Sequence, residues 1–247
     1  MTLTTNWLQA IDGTNALAAT IRYSLHGFAR EATPPDAGSI AFEETAPVRK
    51  FPDYPHKRNV EGRFWLASTG QHVPFESFWE RAFLMSLDRT RSAEAVSSQP
   101  MWIHWRNPKR RHAPDYFVRR KDGTALLVDV RERLEIEPED AAKFELTRRM
   151  AAALGWDYLV FDDLPGATQQ NLRFLLRYRD PQWLEGVALR DLPDYGAIRL
   201  VDLVALLDDA PNSALGAAYA LIWSDIARCD LSRPLSMSAV VRFGPDR

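Results

Sequence analysis

The chain has 247 residues, 46% hydrophobic and 26% charged, which is enough apolar surface for a sizeable core and too much for intrinsic disorder. Its net charge of −2 excludes a general polycation, so any binding of nucleic acid has to be local. The single cysteine, Cys229, excludes an internal disulfide and a cysteine-rich zinc site; with no run near the roughly 18 apolar residues of a membrane helix and no basic-then-apolar leader, a cytoplasmic protein is expected.

Residues 1–74 carry prolines at 34, 35, 47, 52, 55 and 74 and mix Arg49, Lys50, Lys57, Arg58 and Arg63 with aromatics, which reads as an extended arm with short strands. From 75 to 88, Phe75, Phe78, Trp79, Ala82, Phe83 and Leu87 recur at helical spacing; this helix carries Glu80 at its border and Glu76 one turn earlier. Strands are expected at 101–105 and 116–118, with a turn at Asn107-Pro108-Lys109 between them. A turn at Lys121-Asp122-Gly123 leads into the apolar run 124–130, read as a central strand buried on both faces.

A helix at 138–154, opened by Glu137, Glu139 and Asp140 and stopped by Gly155, and a strand at 157–161 complete a strand, helix, strand crossover. Such units close right-handed with parallel strands, so Val128 and Val160 should lie on neighbouring strands of a mixed sheet flanked by helices. After a helix at 169–178 and a linker at 181–194, helices near 200–207 and 215–227 and a hairpin or wing at 231–243 suggest a small winged-helix-like domain. The expected organisation is an N-terminal region at 1–44, an α/β domain at 45–180 and a C-terminal domain at 181–247.

Asp129 and Arg131 are two apart on a strand and therefore leave one face, while Val128 and Val130 leave the other. Asp115, after Pro114 at the start of the neighbouring strand, should come near Asp129, and Glu80 can reach the same spot from its helix. Taken singly, an Asp after Pro is most often a turn residue and a Glu on an amphipathic helix is most often solvated. Asp129 is the strongest of the three, because an acid ending an apolar central strand is costly unless partnered. Three converging carboxylates raise one another's pKa unless a cation neutralises them; magnesium, with manganese as a substitute, suits hard oxygen ligands and phosphodiester hydrolysis.

Two basic runs, Lys109-Arg110-Arg111-His112 and Arg119-Arg120-Lys121, bracket Asp115. Such runs are usually solvated turns; their place around an acidic cluster brings DNA contact by Lys109, Arg110, Arg111, Arg119 and Arg120 to even footing. His104 and His112 read as packing or phosphate-contact residues rather than ligands, and Glu76 ranks behind Glu80 as a metal ligand.

The order Glu, Pro-Asp, then acid-x-base after a Gly-turn hairpin resembles the PD-(D/E)xK nucleases. More specifically, Trp65-Leu-Ala-Ser-Thr-Gly-Gln-His-Val-Pro-Phe-Glu-Ser-Phe-Trp-Glu80-Arg, Gln99-Pro100, Pro114-Asp115-Tyr116-Phe117 and Val128-Asp-Val-Arg131 resemble the TnsA-like endonuclease subunits of heteromeric transposases over roughly residues 45 to 180. The resemblance implies a restriction-endonuclease-like fold and divalent metal held by Glu80, Asp115 and Asp129. It also implies cleavage of DNA at transposon ends beside a DDE transposase, and contact with an ATPase regulator through the C-terminal domain.

Arg131 stands where that pattern has lysine. Arginine stays charged and donates hydrogen bonds, so the favoured role is electrostatic, with Lys143 reaching in or a slow or dead site as the alternatives. The competing functions are a catalytically silent DNA-binding and assembly subunit, in which Asp129 and Arg131 merely pair, and a stand-alone restriction-like or junction-resolving nuclease.

Overall fold

The structure is a computed structural model that describes residues 15–49, 61–194 and 196–244. Lys50, Lys57 and Arg58 of the expected arm lie outside the described residues. Two compact units result: the first takes the described residues up to Leu84 with Ser92–Asp163, the second Met85–Arg91 and the described residues from Leu164 onward.

Unit 1 opens with a hairpin, β1 (Ala19–Leu25) and β2 (Phe28–Ala32). Alternation along β1 buries Ala19, Ile21 and Tyr23 and leaves Arg22 exposed. A short helix α1 (Pro34–Ala37), the two-residue strand β3 (Thr45–Ala46) and a second hairpin, β4 (Gly62–Leu66) with β5 (Gln71–Phe75), follow. Then come α2 (Phe78–Thr90), whose residues from Met85 onward fall in unit 2, and β6 (Ala93–Ser98), β7 (Trp102–Trp105), β8 (Arg110–His112), β9 (Tyr116–Arg120), β10 (Ala125–Val130), α3 (Pro138–Ala153) and β11 (Asp157–Phe161).

Four of these strands form a mixed sheet in the order β11-β10-β9-β6, in which β10 and β11 run parallel and the other pairs antiparallel. The expected crossover is therefore present, with Asp129 opposite Val160 and Val128 opposite Leu159. A second, antiparallel sheet runs β2-β1-β7-β8, with β3 also on β1. The core unites both sheets and α3: Ile21, Ile103, Phe117, Leu127, Leu146 and Met150 are fully buried in one cluster with Phe42 and Trp156, whose rings meet edge-on at 5.7 Å. Burying each such side chain contributes about 1.5–3 kcal/mol.

Several expectations are corrected. The short strands expected in the arm are present within residues 19–46, but they are built into a sheet, since β1 pairs with β7 from Ala19↔Trp105 to Arg22↔Trp102, a long-range pairing that no local pattern announces. The strand at 102–105 belongs to this sheet with β8 and not beside β9; β6 takes the place next to β9. The run Arg110-Arg111-His112 is an edge strand rather than a turn, and Arg119 and Arg120 end β9. Helix α2 starts three residues later than its apolar spacing suggested, because Phe75 completes β5 and Ser77 caps the helix, which leaves Glu76 before it.

Unit 2 contains α4 (Thr168–Leu175), continued as a 3-10 turn over Leu176–Tyr178, and 3-10 turns at Pro181–Leu184 and Leu189–Asp191 in the expected linker. Then follow β12 (Gly196–Arg199), α5 (Leu200–Leu206), α6 (Ala214–Trp223), β13 (Arg228–Cys229) and β14 (Val240–Phe243), the strands pairing in the order β12-β14-β13. Helix α6 is capped by Ser213, whose Oγ accepts from the Gly216 N–H at 3.1 Å, and buries Gly216 to Ala218 and Ala220 to Trp223. Asn171 secures the preceding loop of β14: its amide donates to the carbonyls of Leu231 (2.8 Å) and Arg233 (2.7 Å).

Candidate active site

Asp115 sits where two strand systems meet. Its N–H donates to the Val128 carbonyl at 2.9 Å, extending the β9–β10 ladder by one residue, and its carbonyl accepts from the Gln99 N–H at 2.7 Å beyond the end of β6. Because Phe117 faces Leu127 across the ladder, Asp115 and Asp129 come to one face of the same sheet, at the ends of the strands. The hairpin through Gly123, at φ 83°, sets this register.

Glu80 arrives from α2 on the other side of the sheet. Tyr116, one residue past Asp115, stacks on Phe83 at 5.3 Å and donates its hydroxyl to Glu80 Oε2 at 3.2 Å. Ser77 and Glu80 cap the helix reciprocally: Ser77 Oγ accepts from the Glu80 N–H at 3.0 Å and donates to Glu80 Oε1 at 3.1 Å, and the Glu76 N–H donates to Glu80 Oε2 at 2.8 Å. Glu76 turns to Gln99, whose Nε2 donates to it at 2.8 Å, and to Arg49 at 3.4 Å.

Asp129 is 2% exposed and well partnered. His112 Nε2 lies 2.9 Å from both of its carboxylate oxygens, and the Tyr158 hydroxyl donates to Oδ2. Arg131 does not pair with it. Its guanidinium donates to the Glu135 carbonyl at 3.3 Å and lies 3.6 Å from the Glu135 carboxylate and 4.0 Å from that of Asp140, with 45% of the side chain exposed. Lys143 is held by Asp140 at 2.9 Å.

The electrostatics tie the acids together. Burial, and after it the charges of Asp129 and Glu80, push the Asp115 carboxyl well above the ordinary carboxylate range, against one stabilising hydrogen bond from the Val130 N–H to Oδ2 at 2.7 Å. Burial also raises Glu80, with Glu76 adding repulsion, and raises the Tyr116 and Tyr158 hydroxyls beside the acids.

Glu80, Asp115, Asp129, Arg131 and Lys143 line one cleft of about 1080 Å³ in unit 1, together with Lys109, Arg110, Arg111 and His112. Arg119 and Arg120 do not: Arg119 pairs with Glu43 at 3.2 Å through two nitrogens, and Arg120 pairs with Asp157, both at the far end of β9. Sequence reasoning did not assign the roles of Ser77, Tyr116 and Tyr158, and it read His112 as a packing or phosphate-contact residue, where the structure packs it on Phe144 and pairs it with Asp129. The Ser-x-x-Glu spacing of a capping box was the available signal for Ser77; nothing local marks Tyr158, which reaches Asp129 only because β11 pairs with β10.

The chain matches no protein-family model and no curated protein. Among the described residues no three or more His, Cys, Asp or Glu side chains form a group arranged to hold a metal ion. Asp129 is engaged by His112 and Tyr158, and Glu80 by its own helix start. The donor chemistry nonetheless fits a hard cation, since the charges of Asp129 and Glu80, after burial, act against the charged form of Asp115 between them. No helix among the described residues is long and apolar enough to cross a membrane.

Proposed function

We propose that unit 1 is a metal-dependent DNA endonuclease of the PD-(D/E)xK kind, TnsA-like, working as one subunit of a heteromeric transposase. The observation that carries this reading is the Asp115 carboxyl, raised by burial and by its neighbours Asp129 and Glu80, in a cleft also lined by Lys109, Arg110 and Arg111. A structural acid cluster gains nothing from that repulsion, whereas a cation site with a polyanionic substrate uses both features.

Glu80, Asp115 and Asp129 would hold magnesium or manganese, which supplies an activated water and charge stabilisation at the phosphodiester. The chain's own residues prepare for it. The Val130 N–H orients Asp115, Ser77 and Tyr116 orient Glu80, and His112 and Tyr158 hold Asp129 until it exchanges partners. Arg131, always charged and half-exposed, is suited to a phosphate oxygen once it leaves Glu135. It cannot serve as the base that a lysine provides, so water activation falls to the carboxylate site.

Unit 2 follows the order of a winged-helix-like domain, with β12, two helices and two further strands. Its second helix, Ala214–Trp223, carries no charged or amide side chain and is mostly buried, so it offers nothing to read base edges. This supports docking of a partner protein, the ATPase regulator implied by the resemblance, over DNA reading. A DDE transposase working on the same double-stranded transposon ends completes the proposed complex.

The test is strand cleavage of plasmid DNA in manganese by the wild type and by Glu80→Ala, Asp115→Ala and Asp129→Ala, with and without a transposase partner. Cleavage lost by at least about 100-fold in each variant is expected. Cleavage that survives in all three, or that persists in EDTA, overturns the assignment.

A further inference from the structure

Strand β7 buries Ile103 and Trp105 and leaves Trp102 and His104 half-buried on its other face. Register places Arg22 opposite Trp102, and both Thr20 and Arg111 opposite His104, so one row of side chains crosses β1, β7 and β8. The Arg111 guanidinium carbon lies 5.0 Å from the Trp102 ring centroid, and the indole N–H donates to the Val48 carbonyl at 3.3 Å, which fixes the ring. Burial, with Arg22 and Arg111 adding to it against Glu31, lowers the His104 pKa, so its imidazole is neutral near pH 7; Arg22 is paired with Glu31 at 2.6 Å, so the positive charge that the row offers an anion is that of Arg111.

Because β8 is the edge strand, its alternation sends Arg110 and His112 toward the acids and Arg111 to the Trp102 side, and one cleft is lined by both sets. Arg110 Nε is buried with no hydrogen-bond partner. A buried cationic N–H without an acceptor is costly, and an anion seated there removes the cost.

We propose that the face formed by Arg22, Trp102, His104 and Arg111 seats an unpaired stretch of DNA beside the bond cut at the acid cluster, with a base stacked on the Trp102–Arg111 pair and a phosphate on Arg110. The placement of the cut rests on the nuclease reading; the binding does not. In a duplex the faces of the bases are hidden, so an aromatic ring braced by a guanidinium serves an unpaired base, whereas duplex alone needs only cations. The substrate would then be a duplex with a frayed or overhanging end at the cleavage position.

The experiment measures binding of the full chain in EDTA, by fluorescence anisotropy, to a blunt duplex and to the same duplex with a six-nucleotide overhang. The overhang should bind about tenfold tighter. Trp102→Leu should remove that preference without changing blunt-duplex binding, and Trp102→Phe should keep most of it. Arg110→Gln should weaken binding of both DNAs and reduce the salt slope by about one. Equal binding of the two DNAs by the wild type, no binding of either, or equal weakening of both by Trp102→Leu overturns the proposal. Metal is absent, so a lost overhang preference with intact cleavage counts against this proposal alone, and an intact preference without cleavage counts against the nuclease reading alone.

Discussion

Asp115 carries the clearest cost in unit 1. A carboxyl whose pKa is raised in the folded state binds its proton more tightly there than in the unfolded chain, so the stability linked to that proton is full below the ordinary carboxylate range, about pH 4, and is lost as pH rises through the raised value. Asp115→Asn keeps an acceptor for the Val130 N–H and removes the charge. It should melt about 2–4 °C above the wild type at pH 8 in EDTA, with the gap closing at pH 4; a lower melting point at pH 8 would show that the Asp115 charge stabilises the fold. Ser77→Ala removes the hydroxyl that caps the helix and holds Glu80, and should cost about 1 kcal/mol by urea denaturation while also lowering cleavage.

The elements that position the site differ in how far their sequence announces them. The unit β10–α3–β11 was legible almost residue for residue: Ala-Leu-Leu-Val is a buried parallel strand, Pro138 and the acids of the first turn open the helix, and Gly155 at φ 71° ends it. Strand β6, Ala-Glu-Ala-Val-Ser-Ser, has small and polar residues with weak strand preference, and β8 consists of Arg-Arg-His, so neither carries an apolar alternation to read. Both exist because a neighbouring strand needs its backbone paired. The β9–β10 hairpin, which sets Asp115 beside Asp129, depends on Gly123, and Gly123→Ala should cost about 1–2 kcal/mol in thermal unfolding through its positive φ. An unchanged stability would show that the turn adjusts and that register is held elsewhere.

At the scale of the whole molecule, a chain of net charge −2 can bind a polyanion only through a local concentration of cations, and the fold decides which cations take part. Of the two basic runs visible in the sequence, Lys109, Arg110 and Arg111 reach the cleft, while Arg119 and Arg120 are matched by Glu43 and Asp157. Spacing alone cannot separate the two runs, because the acids that neutralise the second lie 76 and 37 residues away. Arg119→Gln with Arg120→Gln should leave duplex affinity within about twofold, whereas Lys109→Gln with Arg111→Gln should weaken it about tenfold at 0.1 M salt; equal effects in a filter-binding assay would place DNA on both.

The central claim, that Glu80, Asp115 and Asp129 form a cation site, is tested most directly by calorimetric titration of magnesium and manganese into the wild type, Asp115→Asn and Asp129→Asn, with DNA present. Saturable binding to the wild type, lost in both variants while each remains folded, is the expected result. A folded wild type that takes up neither metal, or variants that bind as the wild type does, would contradict it and leave the acids as a structural cluster in a DNA-binding subunit.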